Sequence, residues 1–311
     1  MRHRLLCTLL LTILSPVLCA QPSDFSFGVI GQRAKGGTDT ANDGAALEQA
    51  LSESDADNLA FVVAEGFKRA DESCSDTLYH QRLGMLTNAK NGVVLTLAAN
   101  DWSECRDHAG RQDGIARLSH LREMFFPDDF SLGASKIPLI RQSITPKFRS
   151  YVENARWEFG NVLFTTVNLP ANNNRYRTEA GRNNEFEDRA IATREWLRRS
   201  FASAAFKKMA GIVILCDGNP MPKPGAPRLT EANGRRDGFA EVRQQLATLA
   251  AKFPGKILVI HNRGETKFPH SDTISWHGNL GELEVDTGWV KVGVRPGDPV
   301  LFGAKPGGSQ G

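Results

Sequence analysis

The segment VVLTLAANDWSECRD, residues 93–107, joins an apolar run directly to a polar one. Its first part, Val93–Ala98, has the length and the β-branched content of a buried strand. Asn100 and Asp101 come directly after this strand and Ala99. In α/β proteins, the groups that carry chemistry lie at the carboxyl ends of such strands. We therefore predict a buried strand here, with a functional site at Asn100 and Asp101.

Apolar runs of the same kind recur along the chain and alternate with helical patterns. The runs predict strands over residues 25–30, 59–64, 92–97, 161–169, 211–216, 256–261 and 289–294. Apolar residues at helical spacing predict helices over residues 44–54, 75–89, 114–126, 186–206 and 237–253. Strands that alternate with helices predict an α/β fold in which helices cover the faces of a sheet.

One segment, residues 151–169, departs from this alternation. It reads as two strands on either side of Phe159-Gly160-Asn161, a pattern typical of an antiparallel hairpin. A hairpin inside an otherwise alternating pattern predicts a mixed sheet rather than a purely parallel one. Trp157 and Phe164, one on each strand of the hairpin, are predicted to belong to the core.

The first 20 residues have the pattern of a secretory signal peptide. Arg2 and Arg4 precede an apolar core, Leu5–Leu14, and a short exit segment ends at Ala20. The apolar run is short for a membrane span. We therefore expect a periplasmic or secreted protein without a membrane span after cleavage. Its expected parts are a signal peptide at residues 1–20, one folded domain at residues 21–303 and a disordered tail at residues 304–311.

The charge balance gives no reason to expect a nucleic-acid or membrane partner. The full chain carries 38 Lys and Arg against 35 Asp and Glu, a formal net charge of +3. Two of the arginines lie in the predicted signal peptide, so the exported chain is nearly neutral. Binding to nucleic acid or to an acidic membrane needs a clear excess of positive charge. We therefore expect neither partner.

Three cysteines remain after the predicted cleavage: Cys74, Cys105 and Cys216. Export makes a disulfide possible. Cys74 and Cys105 each lie in a polar loop, whereas Cys216 ends the apolar run GIVILC. We expect a Cys74–Cys105 disulfide and a buried free thiol at Cys216, with three reduced thiols as the alternative.

Several phrases of the sequence fall in an order that a known family shares. They are FGVIG, FVV before a glycine-bearing loop, Cys-x-Asp-x-x-Tyr, Asn-Asp-Trp-x-x-Cys, YVENARWEFGNVLF, NNNR, and a late strand that ends in His before a Gly-x-Thr turn. In this order the chain resembles the calcineurin-like metallophosphoesterase superfamily, and within it a bacterial exported branch, from about Phe25 to Phe302. The resemblance implies a four-layer α/β/β/α sandwich of two mixed sheets, with the site at the strand ends.

The resemblance also implies a two-metal hydrolytic centre, and most of its ligand positions are substituted here. In the family, two divalent ions such as Mn, Fe or Zn polarise a phosphoryl group and activate a water molecule. The substituted positions carry Gln32, Phe67, Ala99 and Lys267. Phe67 stands where the family has its bridging aspartate, and Lys267 stands where it has a histidine. Asn100 matches a family ligand, and Asp101 follows it.

These substitutions imply a pseudoenzyme, which binds a ligand without hydrolysing a phosphoester. Losing even an outer partner of a metal costs roughly 10–100-fold in affinity or activity. The loss of several ligands therefore argues against a metal cofactor. The expected partner is another exported protein, a glycan or a small anion. Lys267 with Arg263 could form an anion site, although solvated charge is the simpler interpretation of this pair.

A rebuilt hydrolase is the alternative, with a one-metal site made from Glu65, Asp101, His261 and Glu265. Glu65 lies two residues before Phe67, so on a strand both side chains would face the same side. The simpler interpretation of Glu65 and Glu265 is that they are surface carboxylates. For His261 it is a structural histidine at the end of a strand.

Two further features carry less weight. The polar run NNNR, residues 172–175, follows a strand and makes Asn173 a pocket candidate. A serine hydrolase is not indicated, because the sequence lacks the Gly-x-Ser-x-Gly motif. Cys216-Asp217 has no histidine partner in the sequence pattern that would make the thiol a nucleophile.

Overall fold

The computed structural model describes residues 23–31, 44–177, 183–222, 236–262, 273–286 and 288–308. The predicted signal peptide lies outside these ranges. The predictions for Gln32, Arg263, Glu265 and Lys267 also fall outside the described residues. Within the described ranges, no helix is long and apolar enough to cross a membrane.

The described chain alternates strands and helices, as the sequence predicts. Its strands are β1 (Phe25–Gly31), β2 (Val62–Glu65), β3 (Val93–Thr96), β4 (Ile140–Arg141), β5 (Ala155–Phe159), β6 (Val162–Thr166), β7 (Gly211–Cys216), β8 (Lys256–Asn262), β9 (Ser275–His277), β10 (Leu280–Val285), β11 (Gly288–Val294) and β12 (Phe302–Pro306). Its α-helices are α1 (Ala45–Asp55), α2 (Asp76–Asn88), α3 (Ala99–Trp102), α4 (Gly114–Phe125), α5 (Asn184–Phe206) and α6 (Ala240–Ala250). Every predicted strand and helix is present, with ends that differ by at most four residues.

The strands form two mixed sheets. In the first, of order β12-β11-β1-β2-β3, the strands β1, β2 and β3 are parallel and β11 and β12 add antiparallel pairs. In the second, of order β4-β5-β6-β7-β8-β10-β9, the four strands from β6 to β10 are parallel and the outer pairs are antiparallel. β5 and β6 form the predicted hairpin, and Gly160 has a left-handed φ of +50° in its turn. The predicted α/β class with mixed pairing is therefore confirmed.

Three buried apolar clusters hold these elements together. The first contains side chains from both sheets, and Phe27 of β1 meets Phe164 of β6 edge-on with ring centroids 5.1 Å apart. Trp157 belongs to this cluster, as predicted. The second joins the first sheet to α1, α2 and α4, and the third joins the second sheet to α5 and α6. Each fully buried large apolar side chain stabilises the fold by roughly 1.5–3 kcal/mol.

The end of the chain departs from the prediction. Residues 304–306 belong to β12 and not to a disordered tail, because β12 pairs with β11 along its whole length. Ala304 lies opposite Val292 and Pro306 lies opposite Val290. Alanine and proline have low strand propensity, so the neighbouring strand decides this element, not local preference. β4, β9 and β10 are likewise absent from the sequence prediction.

The predicted disulfide joins Cys74 to Cys105, whose Cα atoms are 5.8 Å apart. It connects the segment before α2 to the turn after α3, and it is compatible with an exported protein. Cys216 is a buried free thiol at the end of β7, also as predicted. Burial raises the pKa of the Cys216 thiol well above its ordinary value. A buried thiol of this kind is unreactive because it does not form the thiolate.

Candidate functional site

The carboxyl ends of parallel strands from the two sheets meet in one place, which we call the inter-sheet edge. It consists of Glu65 at the end of β2, Asp101 in α3, Asp217 after β7 and Asn262 at the end of β8. All four residues are buried, with at most 5% of their surface exposed. Asn262 bridges the sheets, because its Nδ2 donates to the backbone oxygen of Glu65 at 2.9 Å and to Oδ1 of Asp217 at 3.0 Å.

Asp101 accepts three backbone hydrogen bonds. Its Oδ1 accepts from the N–H groups of Phe67 and Lys68, each at 3.1 Å, and its Oδ2 accepts from Ala98 at 2.7 Å. The bond from Ala98 begins the four-residue helix α3, where the sequence predicts only a strand end. Burial raises the pKa of Asp101 to about 7, although the hydrogen bonds and Lys68 act in the opposite direction. Asp101 thus joins α3 to the turn after β2.

The turn after β2 gives Phe67 an orientation that the sequence does not predict. β2 ends at Glu65, and Gly66 has a left-handed φ of +85°. A Cβ atom on Gly66 would lie 2.7 Å from the Ala98 side chain, so glycine is required. The prediction that Phe67 faces the same side as Glu65 is wrong. The Phe67 ring lies in the second cluster, between the first sheet and its helices, and stacks on Phe125 with ring centroids 4.6 Å apart. Phe67 is therefore a core side chain and does not face the inter-sheet edge.

Asp217 joins three further segments of the chain. Its Oδ2 accepts from the backbone N–H groups of Ala99 and Ala171, both at 2.7 Å, and its Oδ1 accepts from Asn262. Burial raises the pKa of Asp217, although the hydrogen bonds oppose this shift. Sequence reasoning missed this role, even though Asp217 follows the apolar run GIVILC much as Asp101 follows its own strand.

Glu65 is the exception at the inter-sheet edge, because neither of its carboxyl oxygens has a hydrogen-bond partner. It is fully buried, so its interpretation as a surface carboxylate is wrong. Burial raises the pKa of Glu65 well above its ordinary value, and the charge of Asp217 adds to the rise. The Cys216 backbone, which lies close without a hydrogen bond of standard geometry, offsets part of the shift. Glu65 therefore keeps its proton at pH values where an exposed glutamate has lost it.

His261 faces away from the inter-sheet edge. The residue is 1% exposed, its Nδ1 lies 2.9 Å from the backbone oxygen of Asn262, and its Nε2 lies 3.0 Å from Oε1 of Glu282. Consecutive residues of a strand point to opposite sides of a sheet. Asn262 therefore reaches Glu65, whereas His261 does not. The structure does not bring His261 together with Glu65 and Asp101 in the predicted one-metal arrangement.

A two-metal centre does not fit the described residues of the inter-sheet edge. Asp101 and Asp217 are each held by three N–H donors, and the Phe67 ring, which offers no ligand atom, is buried against Phe125. In the part of the chain that the structure describes, the metal-ligating side chains that lie close together are found elsewhere. They are His261, Glu282 and Glu284, with ligand atoms within 4.8 Å of one another.

Asn100 and Asn173 occupy different places. Asn100 is half-buried on α3, next to Asp101. Asn173 has a left-handed φ of +55°, and its side chain accepts from the Gly238 N–H at 2.9 Å and donates to the Arg236 oxygen at 3.1 Å. These bonds tie the loop of Asn173 to the segment before α6. From the same loop, it is the backbone of Ala171 that contacts the inter-sheet edge.

A cavity of about 680 Å³ lies at the opposite end of the first sheet, where β1 begins. Ser26, Gly293 and Gly303 line it, and they are neighbours across β1, β11 and β12. Three cationic side chains also line it: Lys291, Arg295 and Lys305. The cavity shares no residue with the inter-sheet edge, so the basic cavity and the buried acids lie apart.

No family model matches this chain, and no curated protein matches it either. The resemblance to the calcineurin-like metallophosphoesterases therefore stays a prediction from the sequence. The chemistry of the site rests on the contacts of the described residues. Those contacts assign Asp101 and Asp217 to holding the strand ends together, and they leave Glu65 as the one carboxyl there without a bond.

Proposed function

We propose that this protein is an exported, catalytically degenerate member of the calcineurin-like phosphoesterases that acts by binding. In this proposal the two mixed sheets pack face to face, with helices outside, as a four-layer α/β/β/α sandwich. The order of the sequence phrases supports it, and so does the apolar cluster that contains side chains of both sheets. The Cys74–Cys105 disulfide supports a periplasmic or secreted location.

The main support for a protein without hydrolytic activity is the set of hydrogen bonds that Asp101 and Asp217 accept. A carboxylate offers about four acceptor positions. Each of these two carboxyl groups uses three of them for N–H donors of its own chain. A metal ion would have to replace bonds that hold α3 and the strand ends in place. The two acids therefore act as structural acceptors, and the family's metal chemistry lacks its ligands.

The binding half of the proposal is supported by the cavity where β1 begins. Lys305 lies directly opposite Lys291 on neighbouring strands, an arrangement that costs stability unless a negative charge is near. Asp57 pairs with Lys291 at 2.6 Å and also interacts with Lys305. Asp24 lines the cavity as well, so the three lining cations outnumber the one lining carboxylate. Ser26, Gly293 and Gly303 place no large side chain over the neighbouring strands. This chemistry fits a small anion or an acidic group of a glycan better than an apolar ligand.

A second candidate function is a metal-dependent phosphoesterase with a rebuilt one-metal site. The two oxygens of Glu65 favour it, because both are buried without a partner and Asp217 lies near them. A metal ion there would need both groups to ionise. Its hydrolytic activity would be metal-dependent and would be lost when Glu65 is replaced.

A hydrolysis assay separates the two candidates. The purified protein is supplied in turn with Mn²⁺, Fe²⁺, Zn²⁺ and Mg²⁺ and with aryl phosphate mono- and diesters. We expect no rate above the protein-free blank, because the two clamped carboxylates and Phe67 cannot hold two metals. A chelator-sensitive rate that disappears in Glu65→Gln and persists in Glu187→Gln, an exposed control, would establish the second candidate instead.

The cavity is tested by binding of inorganic phosphate and of low-mass dextran sulfate, measured by calorimetry. We expect Lys305→Glu to weaken the binding of the better ligand about tenfold, a loss of roughly 1.4 kcal/mol. Lys252→Glu, an exposed lysine beyond α6, makes the same change of charge elsewhere and is expected to have little effect. Equal losses in both variants would mean non-specific attraction and would count against the cavity.

A further inference from the structure

Three potential metal ligands lie side by side on the face of the second sheet that carries α5 and α6. Glu284 of β10 is the direct neighbour of His261 of β8 in the parallel pair, and Glu282 lies two residues earlier on the same face. Leu283 and Val285 alternate with the two glutamates and point into the cluster between the sheets. The ligand atoms of the three residues lie within 4.8 Å of one another.

The imidazole of His261 is fixed in the orientation that a metal ligand needs. Its Nδ1 lies 2.9 Å from the backbone oxygen of Asn262, which can only accept, so Nδ1 carries the hydrogen. The other nitrogen, Nε2, is therefore directed at the carboxylates. A metal-bound histidine is usually held by such a bond from its second nitrogen. The residue is 1% exposed, so packing also holds the ring in place.

The contact between His261 and Glu282 requires a proton or a cation between two acceptor atoms. Nε2 lies 3.0 Å from Oε1 of Glu282, and the same oxygen accepts from Nδ2 of Asn219 at 2.6 Å. A neutral Nε2 and a carboxylate oxygen are both acceptors, so they repel unless a proton or a cation lies between them. Glu284 adds a second carboxylate, whose oxygen lies within 4.8 Å of the ligand atoms of His261 and Glu282.

We propose that His261, Glu282 and Glu284 bind a divalent metal ion, Zn²⁺ or Mn²⁺. One imidazole nitrogen with carboxylate oxygens is a ligand set that suits both ions. Zinc bonds of about 2.0–2.2 Å at tetrahedral angles place neighbouring ligand atoms roughly 3.3 Å apart. The observed 3.0 Å between Nε2 and Oε1 is close to this spacing. Three protein ligands leave a position for water or for a group of a bound partner.

The thiol next to this group is not a ligand. His261 of β8 lies between Glu284 of β10 and Cys216 of β7 in the sheet. The three neighbouring strands therefore place a carboxylate, an imidazole and a thiol in one row. The Sγ of Cys216, however, lies 3.3 Å from the backbone oxygen of Gly218. The proposed site also shares no residue with the inter-sheet edge. It can therefore be present whether or not the protein hydrolyses phosphoesters.

Metal counting tests the proposal. The purified protein is mixed with Zn²⁺, desalted and analysed by mass spectrometry, and its affinity is measured by competition with a chromophoric chelator. We expect about one ion per chain, and at least tenfold weaker binding in Glu284→Gln. Glu187→Gln is the matched control, since it removes an exposed glutamate of α5 and should bind as the wild type does.

Two results would overturn the site. No retained ion in the wild-type protein would mean that a proton alone lies between His261 and Glu282. An ion that persists in Glu284→Gln and is lost in Glu65→Gln would belong to the inter-sheet edge. The melting temperature of each variant without metal shows that it is folded, and Glu284→Gln is suitable because the side chain is half-exposed. Addition of Zn²⁺ should raise the melting temperature of the wild type and not that of Glu284→Gln.

Discussion

Replacing Asp217 with alanine is expected to lower the free energy of unfolding by roughly 3–5 kcal/mol. The change removes the acceptor of three donors: the buried N–H group of Ala99, the part-buried N–H group of Ala171 and one N–H of Asn262 Nδ2, which keeps its bond to the Glu65 oxygen. Each unsatisfied buried donor costs about 1–3 kcal/mol. The costs are not additive, because the donors are neighbours and water can enter the space that the carboxyl group leaves. The loss is large because the donors belong to both sheets. Ala99 lies in α3, which follows β3 of the first sheet, whereas Ala171 follows β6 and Asn262 lies in β8, both of the second sheet.

Urea unfolding of the wild-type and variant proteins measures this loss. Asp217→Asn keeps one oxygen in nearly the same place, so it should lose less than the alanine variant. Asp188→Ala removes an exposed carboxylate of α5 and is the control, with an expected change under about 0.5 kcal/mol. If Asp217→Ala were as mild as this control, Asp217 would not hold the strand ends together.

Local patterns account for the parts of the fold that the sequence predicts correctly. The apolar run Val93–Thr96 predicts a strand without reference to a distant partner. Gly160 likewise indicates the turn between β5 and β6 by its own residue type. The cysteine pairing was also within reach, because Cys74 and Cys105 lie in polar loops while Cys216 ends an apolar run. The strand, the turn and the surroundings of each cysteine are all determined by residues close to them in the sequence.

The elements that the sequence misses depend on contacts far along the chain. α3 begins where Ala98 donates to Asp101, but the next amide, that of Ala99, is held by Asp217, 118 positions later. β12 exists because β11 pairs with it. No pattern within four residues of α3 could specify the acceptor of Ala99. The prediction therefore stops at a strand end.

The candidate site was predicted in part, because residue types were identified and their directions were not. Glu65 and Asp101 do lie at strand ends that meet. His261 was grouped with them, although it and Asn262 point to opposite faces of β8. Glu282 and Glu284 could have been found, since LGELEV alternates apolar and acidic residues as a strand does. Deciding which residue of such a pair faces the site needs the register of β8 against β10.

Wild-type stability is expected to fall as the pH rises above about 4.5, and Glu65→Gln should remove much of this fall. Burial and the charge of Asp217 raise the pKa of Glu65 in the folded chain above the unfolded value near 4.5. The folded state therefore binds this proton more tightly than the unfolded state. The resulting stabilisation is complete below the unfolded pKa and is lost as the pH rises through the folded pKa. The greatest slope for one group is about 1.4 kcal/mol per pH unit.

Asp101 also makes the stability fall with rising pH, between pH 3.8 and about pH 7, because its pKa is raised from 3.8 to about 7. The variant should therefore keep some slope below pH 7. Glutamine has the size of the protonated acid and cannot ionise, so wild type and Glu65→Gln should be similarly stable near pH 4.5. The variant should be the more stable protein at pH 8 and above, where the wild type must ionise Glu65 without a bonding partner.

Urea unfolding from pH 5 to 9 compares the two proteins, with Glu187→Gln as the exposed control that should follow the wild-type curve. The informative quantity is the difference in slope between wild type and Glu65→Gln, because the other buried carboxyl groups with raised pKa values, Asp101 and Asp217, are common to both proteins. Parallel curves would mean that Glu65 is ionised throughout. A buried carboxylate can be ionised only if a cation or water compensates its charge. That outcome would refute the neutral acid inferred here and favour the one-metal phosphoesterase over the degenerate one.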